Sequence, residues 1–333
     1  MPDITIVGEA QLRALVALDL AAVDQIERAF VSLATEPVVM PPVLNLALPE
    51  RHGEVDVKTA YLPRLDSFAI KVSPGFFNNP ALGLPSLNGL MLVLSASTGL
   101  TEAVLLDNGY LTAVRTAAAG AIAARWLSRP DARRAAVIGA GEQARLQLQA
   151  LMLVRKIEHV TVWARNAEHA AAYAAHVRSR FDVDCAVAQS VHEALARADV
   201  AITTTPSRSP LIEAQDLHRG LHVTAMGSDA DYKTELAPSV FARARYACDR
   251  LAQVRVIGEL AHAVRAGVVA PDATFPELGE IAAGRAGGRT SADDITVCDL
   301  TGTGAQDTAI AALALERVRA ARAGTIFHND TTP

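Results

Sequence analysis

The run Ala135-Ala-Val-Ile-Gly-Ala-Gly-Glu-Gln-Ala144 sets two glycines and a small residue at G-x-G-x-x-A spacing, between an apolar strand and an opening helix. That context makes a dinucleotide site. Gly139 permits the tight turn, Gly141 lets a pyrophosphate approach the backbone, and Ala144 fills the small position where helix and strand pack. The helix start at Glu142 adds unpaired N–H groups and a positive dipole end for the phosphates.

Three charged residues could handle a small acid. Arg115, in Val-Arg-Thr-Ala, could hold a carboxylate with two parallel hydrogen bonds; the same residue could equally be a surface salt-bridging arginine. Lys71 lies inside the apolar strand Phe68-Ala-Ile-Lys-Val72, where a charge needs a reason to be buried. Period-2 alternation leaves another reading open, because Ile70 and Val72 point opposite to Lys71 and could leave it facing water. Asp229 follows the apolar strand Leu221–Ala225, at the carboxyl end of a parallel strand, where ligands of open α/β sheets gather. It could act there as an acid or base, or simply cap a loop. Thr203, Thr204 and Thr205 close another strand and could meet a nicotinamide ribose, or be ordinary β-branched strand residues. Gly302-Thr-Gly304 opens the last helix and could admit the nicotinamide closely, or be a plain helix-start turn.

The elements that must position these residues fall into two styles. Leu20, Val23, Ile26, Phe30 and Leu33 recur at helical spacing within 19–33. Strand patterns follow at 55–61, 68–72, 89–95 and 102–106, separated by turn residues. They predict a mostly antiparallel sheet behind one helix, and a long helix over 111–127. From 135 on, strands (135–138, 159–163, 183–187, 199–203, 221–225, 245–248, 295–298) alternate with helices (142–155, 167–180, 190–196, 238–243, 250–266, 304–321). Such alternation predicts a parallel sheet with helices on both faces. The Ala/Gly-rich segment 282–289 reads as a loop. The expected fold class is α/β, a Rossmann-type domain over 116–309 and an α+β substrate and dimerisation domain from 1–115 and 310–333.

Composition narrows the function. The 333 residues carry a net charge of −5 without a basic run, which argues against nucleic acid and anionic membrane as partners. No apolar run reaches the ~20 residues of a membrane span, and the start Met-Pro-Asp-Ile-Thr lacks the marks of a signal peptide. Cys185, Cys248 and Cys298 are too scattered for a disulfide framework, so a reducing cytoplasm is expected. The nine histidines show no metal-ligand spacing; no metal site is predicted, and most are expected at the surface.

Several phrases together resemble the ornithine cyclodeaminase/mu-crystallin family. They are Ala69-Ile-Lys-Val72, Asp107-Asn-Gly-Tyr-Leu-Thr-Ala-Val-Arg-Thr-Ala-Ala-Ala119, the Gly139 loop, Thr203-Thr-Thr-Pro206, Met226-Gly-Ser-Asp-Ala-Asp-Tyr-Lys-Thr-Glu235 and Gly302-Thr-Gly-Ala-Gln-Asp307. They occur in family order over nearly the whole chain. Lys71-Val-Ser-Pro-Gly-Phe-Phe77 and Cys248-Asp-Arg250 are similar to the ectoine-utilisation branch, which includes enzymes that reduce iminosuccinate to aspartate. The resemblance implies a nicotinamide-dependent enzyme acting on a carbon–nitrogen bond beside a carboxylate, and a homodimer joined through substrate domains. It implies catalytic roles for Lys71 and Asp229 and substrate binding by Arg115. It implies cofactor contacts at Thr116, Gly139, Ala140, Gly141, Glu142, Gln143, Thr204, Thr205, Met226, Gly227, Ser228, Lys233 and Gly302; a solvated loop lysine is the other reading of Lys233.

Two departures qualify this. The acid expected to bind the ribose is replaced by Ala164 or Arg165, which favours NADPH, though an arginine stacked on adenine would also serve NADH. Where many relatives carry a carboxylate-binding arginine, Asn45 is the nearest polar match, so recognition shifts to Lys71, Arg115, Lys58 and Ser86. The expected reaction is NAD(P)H-dependent reduction of a 2-imino acid, with iminosuccinate the preferred substrate. The alternatives are an ornithine-type cyclodeaminase with internal NAD recycling, another ketimine reductase or alanine dehydrogenase, and a crystallin-like NADPH-binding protein.

Overall fold

The computed structural model describes residues 3–329. In chain order the elements are β1 (Ile4–Gly8), α1 (Glu9–Leu15), α2 (Leu20–Thr35), β2 (Leu44–Leu48), β3 (Gly53–Ala60), β4 (Ser67–Phe76), β5 (Leu90–Ser95), β6 (Thr101–Leu106) and α3 (Tyr110–Leu127). Next come β7 (Arg134–Ile138), α4 (Glu142–Val154), β8 (His159–Trp163), α5 (Ala167–Phe181), β9 (Asp184–Val187), α6 (Val191–Leu195), β10 (Val200–Thr203) and β11 (His222–Ala225). The chain ends with β12 (Arg245–Cys248), α7 (Leu251–Val254), α8 (Glu259–Arg265), α9 (Leu278–Ala282), β13 (Thr296–Asp299), α10 (Gly304–Ala321) and β14 (Thr325–Phe327). It divides into two units, a first made of Met1–Arg115 with Thr303–Pro333 and a second made of Thr116–Gly302.

The first unit is a seven-stranded sheet in the order β14-β1-β6-β5-β4-β3-β2, antiparallel except for β1 beside β6. Its two faces differ. Ala60, Ala69, Met91, Val93, Ala103 and Leu105 are buried on the face that α10 covers, with α2 packed on α10. Small residues here let the helix come close. A Cβ on Gly304 would lie 2.2 Å from the Thr59 carbonyl oxygen, so only glycine lets α10 start against β3. Thr308, one turn on, donates to Ala60 O (2.8 Å) and accepts from Ala69 N (3.1 Å). These bonds hold all of α10 with the first unit, whereas the predicted boundary had placed its first turn with the second.

The second unit is a parallel sheet in the order β12-β13-β11-β10-β7-β8-β9. Two apolar clusters lie on its faces: Ala135, Val137, Val200 and Ile202 point into one, and Ala136, Ile138, Ala201 and Val223 into the other. Burial of both faces by helices is what near-continuous apolar strands require.

The sequence predictions departed from this in a few elements. The helix predicted over 250–266 is two, α7 and α8. Gly258 breaks it with φ +92°, where a Cβ would lie 2.9 Å from Asp299 Oδ2. Asp299 Oδ2 instead accepts the first N–H of α8, from Glu259 (2.8 Å). The predicted 238–243 helix is a 3-10 helix, Pro238–Ala242. β1, α1, β2, α9 and β14 were not predicted.

Candidate active site

In the first unit, three basic side chains converge on one acid. Register pairs Lys58 directly with Lys71 across β3 and β4, so both point to the face under α10. Like charges placed opposite repel, and Asp307 answers them from the first turn of α10. Its Oδ2 is 3.0 Å from Lys71 Nζ and its Oδ1 accepts from Arg115 Nε at 2.9 Å. Lys71 is 2% exposed, Arg115 5% and Asp307 0%, so these charges are desolvated. The alternation of Phe68–Val72 is therefore inverted relative to the surface reading: Lys71 faces the covered side, while Ile70 and Val72 lie on the half-buried one.

Burial pushes the Lys71 ammonium down to about 7, against the pull of Asp307 and with help from Arg115 and Lys58. Burial would raise the Asp307 carboxyl, but Arg115, Lys71 and Lys58 outweigh it and hold the group below its ordinary value. Two cations thus share one carboxylate. Among the described residues, Arg115 has no other ion-pair or hydrogen-bond partner for its side chain than Asp307, on Nε, which leaves its two terminal nitrogens for a ligand carboxylate. Asp107 closes the turn before α3: its Oδ2 accepts from Leu111 N (2.8 Å), and burial raises its carboxyl despite those N–H bonds and nearby Lys71.

The other predicted substrate residues are placed differently. Asn45 is on the exposed edge strand β2 and donates to Asp56 Oδ1 (2.8 Å). Ser86 is half-buried, its carbonyl accepting from Phe76 N (2.7 Å). Lys58 is buried and belongs to the cluster.

In the second unit the predicted cofactor residues gather at the carboxyl ends of β7, β10 and β11. Gly139 has φ +120°, and a Cβ there would lie 2.7 Å from Thr204 Oγ1. Gly141, the residue before α4, has open space where a Cβ would go, and no side chain caps this helix start. Gly141 and Glu142 are exposed, Ala140 and Gln143 half-buried, and Ala144 is buried. β8 and β9 continue the sheet on one side of β7 and β10 on the other, so the chain reverses direction here, at the switch point where such sheets bind ligands. A glycine cradle with vacant space and uncapped N–H groups fits a dinucleotide's pyrophosphate. Met226 and Gly227 follow β11 beside Thr205: a Cβ on Gly227 would lie 2.2 Å from Thr205 O.

Asp229 is about half exposed and pairs with Lys233 at 2.7 Å. Ser228 is buried, with Oγ on the Lys233 carbonyl. Thr116 is half-buried, its carbonyl accepting from Gln147 Nε2 (2.9 Å). Gly302 has φ +80° and donates its N–H to Asp249 (2.7 Å). Arg165 is exposed just beyond β8. His222, contrary to the general expectation for histidines, is fully buried; desolvation, with Arg289 and Arg155 nearby, pushes it down to about 3.

Sequence reasoning missed two acids, Asp307 and Glu235. Both end phrases quoted above, yet neither drew attention, because each was read for its glycines or its aspartate. A carboxylate in the first turn of a buried helix was the available signal.

Residues 5–322 match the profile of the ornithine cyclodeaminase/mu-crystallin family. A relative from Rhizobium meliloti (strain 1021) with a general dehydrogenase name is 56% identical over 99% of this chain and 100% of its own. An archaeal alanine dehydrogenase, solved as a dimer with bound NAD, is similar with TM-score 0.92 and 32% identity, over 99% of this chain and 100% of that one. The iminosuccinate reductase of Paracoccus denitrificans in complex with NAD+ gives TM-score 0.91 and 30% identity, over 98% and 100%.

Proposed function

The chain belongs to the ornithine cyclodeaminase/mu-crystallin family, and we propose that it is an NAD(P)H-dependent reductase of a 2-imino acid, with iminosuccinate, reduced to aspartate, as its substrate. One observation carries this reading: Arg115 and Lys71 share the single carboxylate of Asp307 in a desolvated cluster. A ligand carboxylate completes that charge balance. Lys58, directly opposite Lys71, adds a third basic side chain to the field around Asp307, and this excess of positive charge favours a dicarboxylic imino acid over a monoacid.

The cofactor supplies the hydride that reduces the C=N bond. Arg115 and Lys71 bind and orient the carboxylate, and Asp229, or a water it orients, delivers the proton to nitrogen. Gly139, Gly141 and the start of α4 hold the phosphates. A panel of 2-oxo acids with ammonia, together with cyclic imines, tests the substrate class. Oxaloacetate with ammonia is expected to oxidise NAD(P)H fastest; a cyclic imine reduced faster would replace the dicarboxylate by a ring substrate.

A pH dependence follows from Lys71. Its ammonium form grips the carboxylate and exists below about 7 in the free protein. kcat/KM is therefore expected to fall as pH rises through about 7. Lys71→Arg, charged throughout, is expected to lose that alkaline limb; an unchanged limb would assign it to another group.

Arg165 supports use of NADPH, because it stands where an acid would repel a 2′-phosphate. Arg165→Ala is expected to raise the KM for NADPH about tenfold and leave that for NADH nearly unchanged. Equal changes for both would detach Arg165 from the phosphate.

The uncovered face of the first sheet supports a homodimer. Register places Phe68, Ile70, Val72, Leu90, Leu92, Leu94, Val104, Leu44 and Leu46 on one face, half-buried or exposed. A continuous apolar face this broad marks an interaction surface. Light scattering is expected to give twice the chain mass, and Leu92→Glu, opposite Ile70, to give the single chain. A monomeric wild type would contradict this use of the face.

A further inference from the structure

Glu235 is fully buried in the second unit, yet no basic side chain pairs with it among the described residues. Four donors hold it instead. Oε2 accepts from Thr203 Oγ1 (2.5 Å) and Gly227 N (2.7 Å). Oε1 accepts from Thr205 N (2.6 Å) and Thr205 Oγ1 (2.7 Å). One carboxylate thereby fastens the end of β10 to the loop after β11. We propose that Glu235 is the positioning residue that fixes these two strand-end segments, through Thr203, Thr205 and Gly227, in the conformation that binds the nicotinamide cofactor. This rests on the reading that the same segments form part of the cofactor site.

The donors define what the residue must be. A carboxylate accepts at both oxygens and donates nothing. Thr205 N and Gly227 N approach different oxygens, and backbone N–H groups cannot turn away. A glutamine of the same shape would set its NH2 against one of them, leaving a buried donor unsatisfied. Gly227 cannot yield: a Cβ there would lie 2.5 Å from Glu235 Cδ. The segment bearing Glu235 is itself held, since Glu259 accepts from Glu235 N (2.8 Å), Leu236 N (3.2 Å) and Thr234 Oγ1 (2.9 Å). Asp299 then anchors the N–H of Glu259 and accepts from Tyr246. Glu259 feels the charge of Glu235 through this segment, and burial raises the Glu235 carboxyl against the four hydrogen bonds.

The test measures NADH and NADPH affinity by fluorescence titration on the full chain, with thermal unfolding alongside. Glu235→Gln is expected to weaken the preferred nucleotide tenfold or more, and to raise its KM more than it lowers kcat. Thr203→Val, which removes one hydroxyl and keeps the shape, is expected to weaken it two- to fivefold in a chain that unfolds at a somewhat lower temperature but is folded at the temperature of the titration; it decides the matter if the glutamine variant does not fold. Thr296→Val removes a similarly buried hydroxyl, on Leu127 O, from the opposite ends of the strands, and is expected to stay within twofold. Wild-type affinity in the variants at Glu235 and Thr203, or an equal loss in Thr296→Val, overturns the proposal alone. A wild-type chain that binds neither nucleotide overturns it together with the cofactor reading.

Discussion

Replacing Asp307 by alanine is expected to lower the unfolding free energy by about 3–5 kcal/mol, the cost of leaving a buried charge without its partner. Two cations lose their shared anion at once, since Lys71 and Arg115 both contact this carboxylate and neither reaches bulk water. The chain has one escape, deprotonation of Lys71, whose ammonium burial already depresses to about 7. The loss should therefore shrink above that pH, where Lys71 is neutral in the variant, and be greatest below it. Added succinate should restore part of the stability, because a dianion that binds only the folded chain shifts the equilibrium by mass action. Urea unfolding at two pH values with and without succinate measures all three. A midpoint within experimental error of wild type would show that the carboxylate does not neutralise the cluster.

Arg115→Ala should cost about 2–5 kcal/mol in kcat/KM, the range for truncating one partner of a buried, hydrogen-bonded charge pair. Its Nε is engaged by Asp307, which fixes the plane of the guanidinium and leaves the two terminal nitrogens for the proposed carboxylate. Lysine cannot reproduce that fork, so Arg115→Lys should recover little of the loss. Steady-state kinetics with the preferred 2-imino acid supplies the comparison. Unaltered kcat/KM in Arg115→Ala would remove the arginine from substrate binding.

Much of this arrangement was legible in the sequence where chemistry is local. The glycine loop at 139–141 carries its own context of strand and helix, and the alternation from 135 onward specified the parallel sheet. What escaped depends on distant contacts. The segment 250–266 has helical composition, and its break at Gly258 arises because Asp299, from β13, takes the N–H of Glu259. Period-2 alternation around Lys71 distinguished two faces of β4 but could not say which one α10 would cover. Lys71 turned out to share the covered face with Ala69, because α10 brings the anion it needs. Asn45 drew attention by its position along the chain, yet strand pairing gives it Asp56 as a partner at the sheet edge. Asp307 could not be joined to Lys71 and Arg115 from spacing, since the three come from β4, α3 and α10.

The most direct test of imine reduction follows the hydride itself. Oxaloacetate and ammonia are incubated with the protein and NAD(P)H deuterated at the transferable C4 position, and the amino acid formed is examined by mass spectrometry. Aspartate carrying one deuterium at its α-carbon is expected for each cofactor oxidised. Unlabelled aspartate would contradict imine reduction, and so would ammonia release from ornithine without net cofactor oxidation while no imino acid is reduced.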